Sequence, residues 1–416
     1  MKIAIMCELP RRELQFLIIL KSKLEHFGHE VKLIPQRLPL IIKLLKFKPD
    51  IIVVNGLRSY SSYVNQIYIP KKLLKSQVVS LYSEQVGRLG GLADSYDNNY
   101  ILQSVDKHIV WGKKFAQGLQ YMGVKSNDIF ITGSMGLDLI QKHKSVRENN
   151  RTKTSERFNL SIDKKWVLIA DNIIRKGDQK ESYETLRDNF DKKLSKIMSR
   201  FPDCEFVFRP HPDNNENDLA LIRSHLGQFS NFHIIAEEHS TYWIVLMDAV
   251  IVWRSTSSIE AWSANIPTFG LKTDVNDWDY WWEGLMAGYV DENELIEVLE
   301  DTLLGTKSYR ATKECKTYMN NWFHRIDGLA IDRVASVVDS LGTNKGKTPQ
   351  KNITFVSAVS HLFLEYVNWM SKSIGGNKRV FEIPKNDINS SLYKIENYSE
   401  RVLFEYNKTA DGIRVD

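Results

Sequence analysis

Cysteine is scarce in this 416-residue chain and poorly placed for cross-linking. Cys7, Cys204 and Cys315 are odd in number, far apart and never paired as C-x-x-C. That argues against a disulfide framework and a cysteine-built zinc site, and it fits a reducing compartment. Long apolar runs are missing as well: none approaches the roughly 18 residues of a spanning helix. The opening MKIAIMCELPRRELQ has neither the extended apolar core nor the small-residue cleavage site of a signal peptide, and reads as a buried strand. A cytoplasmic protein is expected. Two phosphate loops are absent. Nothing matches G-x-x-x-x-G-K-[ST], which excludes a P-loop, and no G-x-G-x-x-G follows the first strand, which argues against a dinucleotide dehydrogenase.

What is present is a globular composition, 43% hydrophobic and 26% charged, in a chain long enough for two domains. Its charge is uneven. Residues 1–80 hold 14 Lys or Arg against 5 Asp or Glu, a local +9 against +5 for the whole chain, so the remainder is net acidic. Between residues 36 and 75, Lys alternates with aliphatics, as in Ile41-Ile42-Lys43-Leu44-Leu45-Lys46-Phe47-Lys48 and Pro70-Lys71-Lys72-Leu73-Leu74-Lys75. Two readings follow: helices with solvated outer faces, or a basic, partly apolar surface resting on anionic lipid at the inner face of the cell membrane. No nucleic-acid recognition motif accompanies the charge, so no nucleic-acid partner is expected.

Short apolar runs alternate with helical patterns through residues 1–142. Lys2–Met6, Val31–Ile34, Asp50–Val54, Val78–Tyr82, His108–Trp111 and Ile129–Thr132 read as strands, and Glu13–Phe27 as a helix ending at Gly28. Residues 143–164 are polar and aperiodic and read as a linker. A second alternation fills 165–341, with strands at Trp166–Ala170, Phe206–Phe208, His233–Ile235, Val250–Trp253 and Thr268–Leu271. Helices are expected at Tyr183–Arg200, Asp291–Leu304, Tyr309–Phe323 and Leu329–Leu341. Residues 342–416 read as a further linker, an amphipathic helix over Ile353–Met370 and a polar tail. The expected fold class is α/β, with two doubly wound parallel-sheet domains of Rossmann type facing a cleft, plus extra C-terminal helices.

Ligands of such sheets bind beyond the carboxyl ends of the strands. Two strand ends carry suitable chemistry. One is Arg209-Pro210-His211-Pro212, where flanking prolines hold the imidazole at a strand end and Arg209 offers a bidentate cation. The other is Ser255-Thr256-Ser257-Ser258-Ile259-Glu260, a hydroxyl-rich helix start suited to a phosphate, with Glu260 able to cap the helix or touch ribose. In the first domain Glu8, Arg11, Arg12 and Glu13 follow one strand, and Glu84 and Arg88 follow another. A transferase needs a carboxylate to deprotonate an acceptor hydroxyl or to act as nucleophile. Glu84 is the first choice, then Glu13 and Glu8, while the arginines suit an acidic sugar or acceptor. Asp277-Trp278-Asp279-Tyr280-Trp281-Trp282-Glu283 offers rings for stacking on a sugar or base, or a packed corner of the core. With Asp274 it gives no full metal-ligand set, so neither metal nor cofactor is expected.

The chain resembles bacterial surface-carbohydrate (capsule and lipopolysaccharide) biosynthesis proteins of GT-B fold, related to transferases that use CMP-activated Kdo or sialic acid. The pieces that carry the resemblance are Glu8-x-x-Arg11-Arg12-Glu13-Leu14, Val110-Trp111-Gly112, and Ile131-Thr132-Gly133-Ser134-Met135-Gly136-Leu137-Asp138. To these are added Arg209-Pro210-His211-Pro212, the Ser255–Ala261 cluster with Pro267-Thr268, and Asp327-Gly328. They span roughly residues 1–340. The resemblance implies a CMP-sugar donor on the C-terminal domain, with His211 on its phosphate and Ser257 and Ser258 beside it, and a glycan or glycolipid acceptor. Related transferases carry an acidic pair followed by Gly where this chain reads Ser83-Glu84-Gln85, with Gly87 displaced. Inverting and retaining chemistry both stay open. So do a polyol-phosphate transferase with a CDP-activated donor, a sugar-nucleotide 2-epimerase and a non-catalytic GT-B scaffold.

Overall fold

The computed structural model describes residues 1–8, 10–35, 40–55, 60–82, 85, 99–173, 180–211, 213–273, 288–309, 312–343, 346–349 and 354–374. The chain divides into two compact units. Unit 1 holds residues 1–135, 322–325 and 329–416, and unit 2 holds 136–321 and 326–328.

Unit 1 is built on six parallel strands: β1 (Lys2–Cys7), β2 (Glu30–Pro35), β3 (Ile51–Val54), β4 (Gln77–Ser80), β5 (Lys107–Val110) and β6 (Ile129–Ile131). Their order is β2-β1-β3-β4-β5-β6, with Ile3 opposite both Val31 and Ile51. The central runs Ile3–Met6 and Ile51–Val54 are fully buried, as strands covered on both faces must be. Unit 2 repeats the plan with β7 (Lys165–Asp171), β8 (Cys204–Arg209), β9 (Phe232–Ile234), β10 (Ala249–Trp253), β11 (Thr268–Leu271) and β12 (Tyr289–Val290). The order is β12-β11-β10-β7-β8-β9, so the sheet starts in its middle at β7 and is wound outward both ways. Phe190, Leu194 and Ile197 pack with Phe206, Phe208, Ile251 and Phe269 in its core. Truncating one of those rings to Ala costs about 3–5 kcal/mol.

Three features differ from sequence expectation. Residues 143–164 are not a free linker. The helix Met135–Ser145 runs into them and Arg147–Phe158 forms another. Arg151 donates to Leu246 O at 2.6 Å and to Asp248 Oδ2 at 3.0 Å and lies over the Trp166 ring. The polar composition combines a solvated face, with Glu148, Asn149, Lys153 and Glu156 exposed, and the carbonyl anchors Arg147 and Arg151. Second, the helix Ala330–Asp339 belongs to unit 1 rather than to the C-terminal domain. It pairs Asp332 with Lys23 and Asp339 with His29, and Arg333 Nε donates to Thr132 O at 2.6 Å. Third, residues 346–349 are strapped to unit 1. Lys347 N donates to Asp106 Oδ1, Lys347 Nζ reaches Asp128 Oδ2 at 2.5 Å, and buried Lys71 holds the other Asp106 oxygen. Burial pushes Lys71 below its ordinary pKa, and Asp106 pulls it back.

Candidate functional site

In unit 2 the order of the strands reverses direction at β7 and β10, the topological switch point where open α/β sheets take their ligands. Three strand ends meet there. Trp253 of β10 lies opposite Asp171 of β7, and Arg209 of β8 lies opposite Ala170, so the ends are level to within a residue. β8 and β10 are therefore not neighbours. The end of β7 stands between them, and two strand spacings of about 4.8 Å set them about 10 Å apart. Asn172, half-buried and bonded through its N–H to Trp253 O at 3.0 Å, occupies that middle place. Asn172 was missed in the sequence. The polar pair Asp171-Asn172 after the Trp166–Ala170 run is the signal that reveals it.

His211 leads out of β8 into a tight turn. Its N–H donates to Asn214 Oδ1 at 2.8 Å, and its carbonyl accepts from Asn214 N at 2.9 Å. Asn214 Nδ2 in turn donates to Ile173 O at 3.3 Å, tying the turn to the end of β7. His211 Nδ1 accepts the Asp213 N–H at 3.2 Å. A ring nitrogen that accepts carries no proton, so neutral His211 is protonated on Nε2. The half-buried imidazole is thus set up as an Nε2–H donor.

Arg209 serves the chain itself. Its guanidinium donates to the carbonyls of Ile235 (2.8 Å), Glu237 and Glu238 (2.6 Å), clamping the segment that follows β9. Burial pushes its pKa down to about 10, while Glu237, Glu238 and Glu260 pull it up, so it stays charged at neutral pH. The pull of Glu260 also brings the helix after β10 into the electrostatic reach of the β8 end.

At the β10 end, Arg254 turns the chain with φ 50°, a left-handed conformation that costs a branched-out residue about 1–2 kcal/mol. The helix Ser257–Ala264 then starts. Its first amides are held locally: Ser257 N donates to Ser255 Oγ at 3.3 Å, and Ser258 N to Ser255 O at 3.2 Å. Ser258 is 0% exposed and its Oγ donates to Ser255 O at 3.0 Å, so it braces the turn. Thr256 is exposed and Ser255 and Ser257 are half-buried, leaving three hydroxyls at the surface of the switch point.

Unit 1 has an acidic cluster at its own switch point, between β1 and β3. Glu13 is 3% exposed, and its Oε2 accepts from Glu8 N (3.0 Å) and Asn55 Nδ2 (2.8 Å). Asn55, the polar residue closing β3, was also missed. Burial, then Glu13 and Glu8, push the Cys7 thiol up to about 12. Gln85 donates to Leu81 O and accepts from Trp111 N at 2.7 Å, joining the ends of β4 and β5. Glu84 and Arg88, the side chains of Arg11 and Arg12, and the aromatic run Asp277–Glu283 with Asp274 lie outside the described residues.

No family model and no curated protein matches the chain. Solved structures do. The UDP-GlcNAc 2-epimerase from Neisseria meningitidis bound to UDP-GlcNAc aligns with TM-score 0.58 at 13% identity, over 81% of this chain and 99% of that one. The S. aureus MnaA–UDP structure aligns with TM-score 0.59 at 15% identity, over 83% and 98%. A variant of the wall teichoic acid polymerase TagF aligns with TM-score 0.57 at 12% identity, over 82% and 88%. At such identities the likeness is one of fold, and it agrees with the strand orders above: the chain consists of two doubly wound parallel-sheet domains of the GT-B class.

Proposed function

We infer that this protein is a sugar-nucleotide enzyme of surface-glycan synthesis, and that unit 2 binds the phosphate of its nucleotide-activated sugar. One observation supports the reading: the segments that bear His211, Asn172 and Ser255–Ser257 leave the ends of three adjacent strands, β8, β7 and β10, at the turn-round of the sheet. In this scheme His211 Nε2–H donates to a phosphate oxygen and stabilises the charge that builds as the sugar–phosphate bond breaks. Arg209 and Ser258 keep the surrounding turns in place, and Glu260 is assigned as a ligand for the nucleotide.

The reaction we assign is transfer of an acidic, Kdo-like or sialic-acid-like sugar from a CMP-activated donor to a glycan or glycolipid hydroxyl. Glu84, or else Glu13 or Glu8, takes the acceptor proton. Arg11, Arg12 and Arg88 bind the acidic sugar or the acceptor. A second reading, 2-epimerisation of a UDP-sugar, is favoured by the structural neighbours, several of which are UDP-GlcNAc 2-epimerases. The two differ at one bond. Epimerisation at C2 breaks and remakes a C–H bond, so incubation with UDP-GlcNAc in deuterated water loads deuterium at C2. A transferase leaves C2 unlabelled and releases CMP from a CMP-sugar in step with acceptor glycosylation. Deuterium uptake without CMP-sugar turnover would replace the first reading by the second, and neither activity would remove both.

A further inference from the structure

The helix Phe355–Ile374 carries an apolar face that the described residues of unit 1 do not cover. It packs on the π-turn Val64–Tyr68, with Ala358 fully buried and His361 edge-on to Tyr60 at 5.1 Å. The opposite arc of the helix presents Phe355, Val356, Val359, Phe363, Leu364 and Val367 to solvent. Val356 is 74% exposed, Phe363 65% and Leu364 60%. Apolar residues on one exposed helical arc mark an interaction face, because water alone does not hold such an arrangement.

The neighbouring elements say what the face meets. The π-turn closes with Ile69 N donating to Val64 O and leads directly into the helix Ile69–Leu73, which carries Pro70 in its first turn. That helix packs on Leu40–Phe47. Together the two short helices expose Ile42, Leu45 and Leu73 beside the exposed cations Lys43, Lys46, Lys48, Lys72 and Lys75. From residue 31 to residue 83 there are nine Lys or Arg and a single carboxylate, Asp50. The strap at Lys347, fixed to Asp106 and Asp128, leads the chain to the apolar helix. Among the described residues no helix is long and apolar enough to cross a membrane. On these two short helices exposed apolar side chains sit beside lysines and few carboxylates, the chemistry of an interfacial surface that sits on anionic lipid, and the apolar helix packs on the π-turn that runs into one of them. A protein partner with a dry apolar groove would not require the run of cations.

We propose that the helix Phe355–Ile374, with the lysine-bearing helices Leu40–Phe47 and Ile69–Leu73, forms a docking surface for an anionic lipid bilayer. The apolar arc enters the headgroup layer and the lysines lie against the lipid charge. This surface belongs to unit 1 alone and does not depend on the nucleotide site.

The test is vesicle flotation of the full chain with neutral phosphatidylcholine and with vesicles containing about 30% phosphatidylglycerol, since each engaged lysine strengthens binding about fivefold. Partition onto the anionic vesicles is expected to exceed that onto neutral ones by more than about 20-fold. Val356→Glu with Phe363→Glu should lower it by at least about 30-fold through lost apolar burial, at unchanged melting temperature. Lys43→Gln with Lys46→Gln, on a separate helix, should lower it by about 20-fold on anionic vesicles only. Equal binding to both vesicle types, no binding at all, or Glu variants that bind like the parent would overturn the proposal. So would light scattering that shows a dimer dissociated by Val356→Glu with Phe363→Glu, because a second copy would then be the occupant.

Discussion

Arg187→Met probes the buried support beneath the β7 end. Asp171 closes β7, its Oδ1 accepting the Ile173 N–H at 3.1 Å and its Oδ2 the Arg187 NH1 at 2.6 Å. The other arm of Arg187 binds Asp191, whose second oxygen meets His225 Nδ1 at 2.9 Å. Arg187, Asp171 and Asp191 are all essentially inaccessible to water. Burial opposes the charge on Arg187, but the two carboxylates more than offset it and hold its pKa above the usual value. Burial also keeps Asp191 above its usual value despite Arg187. Removing the cation leaves two buried carboxylates uncompensated, at a cost of about 3–5 kcal/mol near pH 8. Asp191, already raised by burial, rises further without the cation and binds a proton in the folded state. The folded variant then holds more protons than its unfolded chain, and its stability falls as pH rises, by about 1.4 kcal/mol per unit for each extra proton. Urea unfolding followed by tryptophan fluorescence should show the deficit shrinking to about 1–2 kcal/mol at pH 5. A deficit under about 1 kcal/mol, or one that is constant from about pH 5 to 8, would refute this electrostatic account.

Two other outcomes follow from the same structure. Gly133 has φ +88°, and a Cβ there would lie 3.1 Å from Arg325 O and 3.2 Å from Arg333 NH2. Gly133→Ala should therefore destabilise unit 1 by about 1–3 kcal/mol in a urea titration, and an unchanged midpoint would contradict the strained turn. Burial pushes Cys7 and Cys315 up to about 12 and Cys204 up to about 11. None should react with a thiol-disulfide reagent at pH 8 until urea exposes all three, and one fast-reacting thiol in the native protein would contradict their burial.

The sheets were legible because their strands are parallel and covered on both faces. Ile51–Val54 and Ala249–Trp253 stand out as short apolar runs with turns on either side, and both form strands. The helix Arg147–Phe158 was hidden because Arg147 and Arg151 reach the carbonyls of residues 245–247 and the carboxylate of Asp248, almost a hundred positions away, and no local pattern announces such anchors. Arg209 is similar. A cation at a strand end reads as a ligand for phosphate, but its partners come from the return of residues 235–238, which only the folded chain supplies. The strand end at His211 was visible through its two prolines. The intervening β7 end was not, because strand order is set by tertiary packing. Arg187 sits mid-helix among polar residues and nothing in its neighbourhood marks it as buried.

The central claim is an anion site shared by His211 and the Ser255–Ser257 hydroxyls across the end of β7. Calorimetric titration of CMP, CDP and UDP into the parent and into His211→Ala, which removes the Nε2–H donor, tests it most directly. Saturable binding of one nucleotide is expected, weakened about 10- to 100-fold by the substitution at unchanged melting temperature, as loss of one hydrogen bond to a charged phosphate requires. A parent that binds none of the three, or a variant that binds as the parent does, would contradict it.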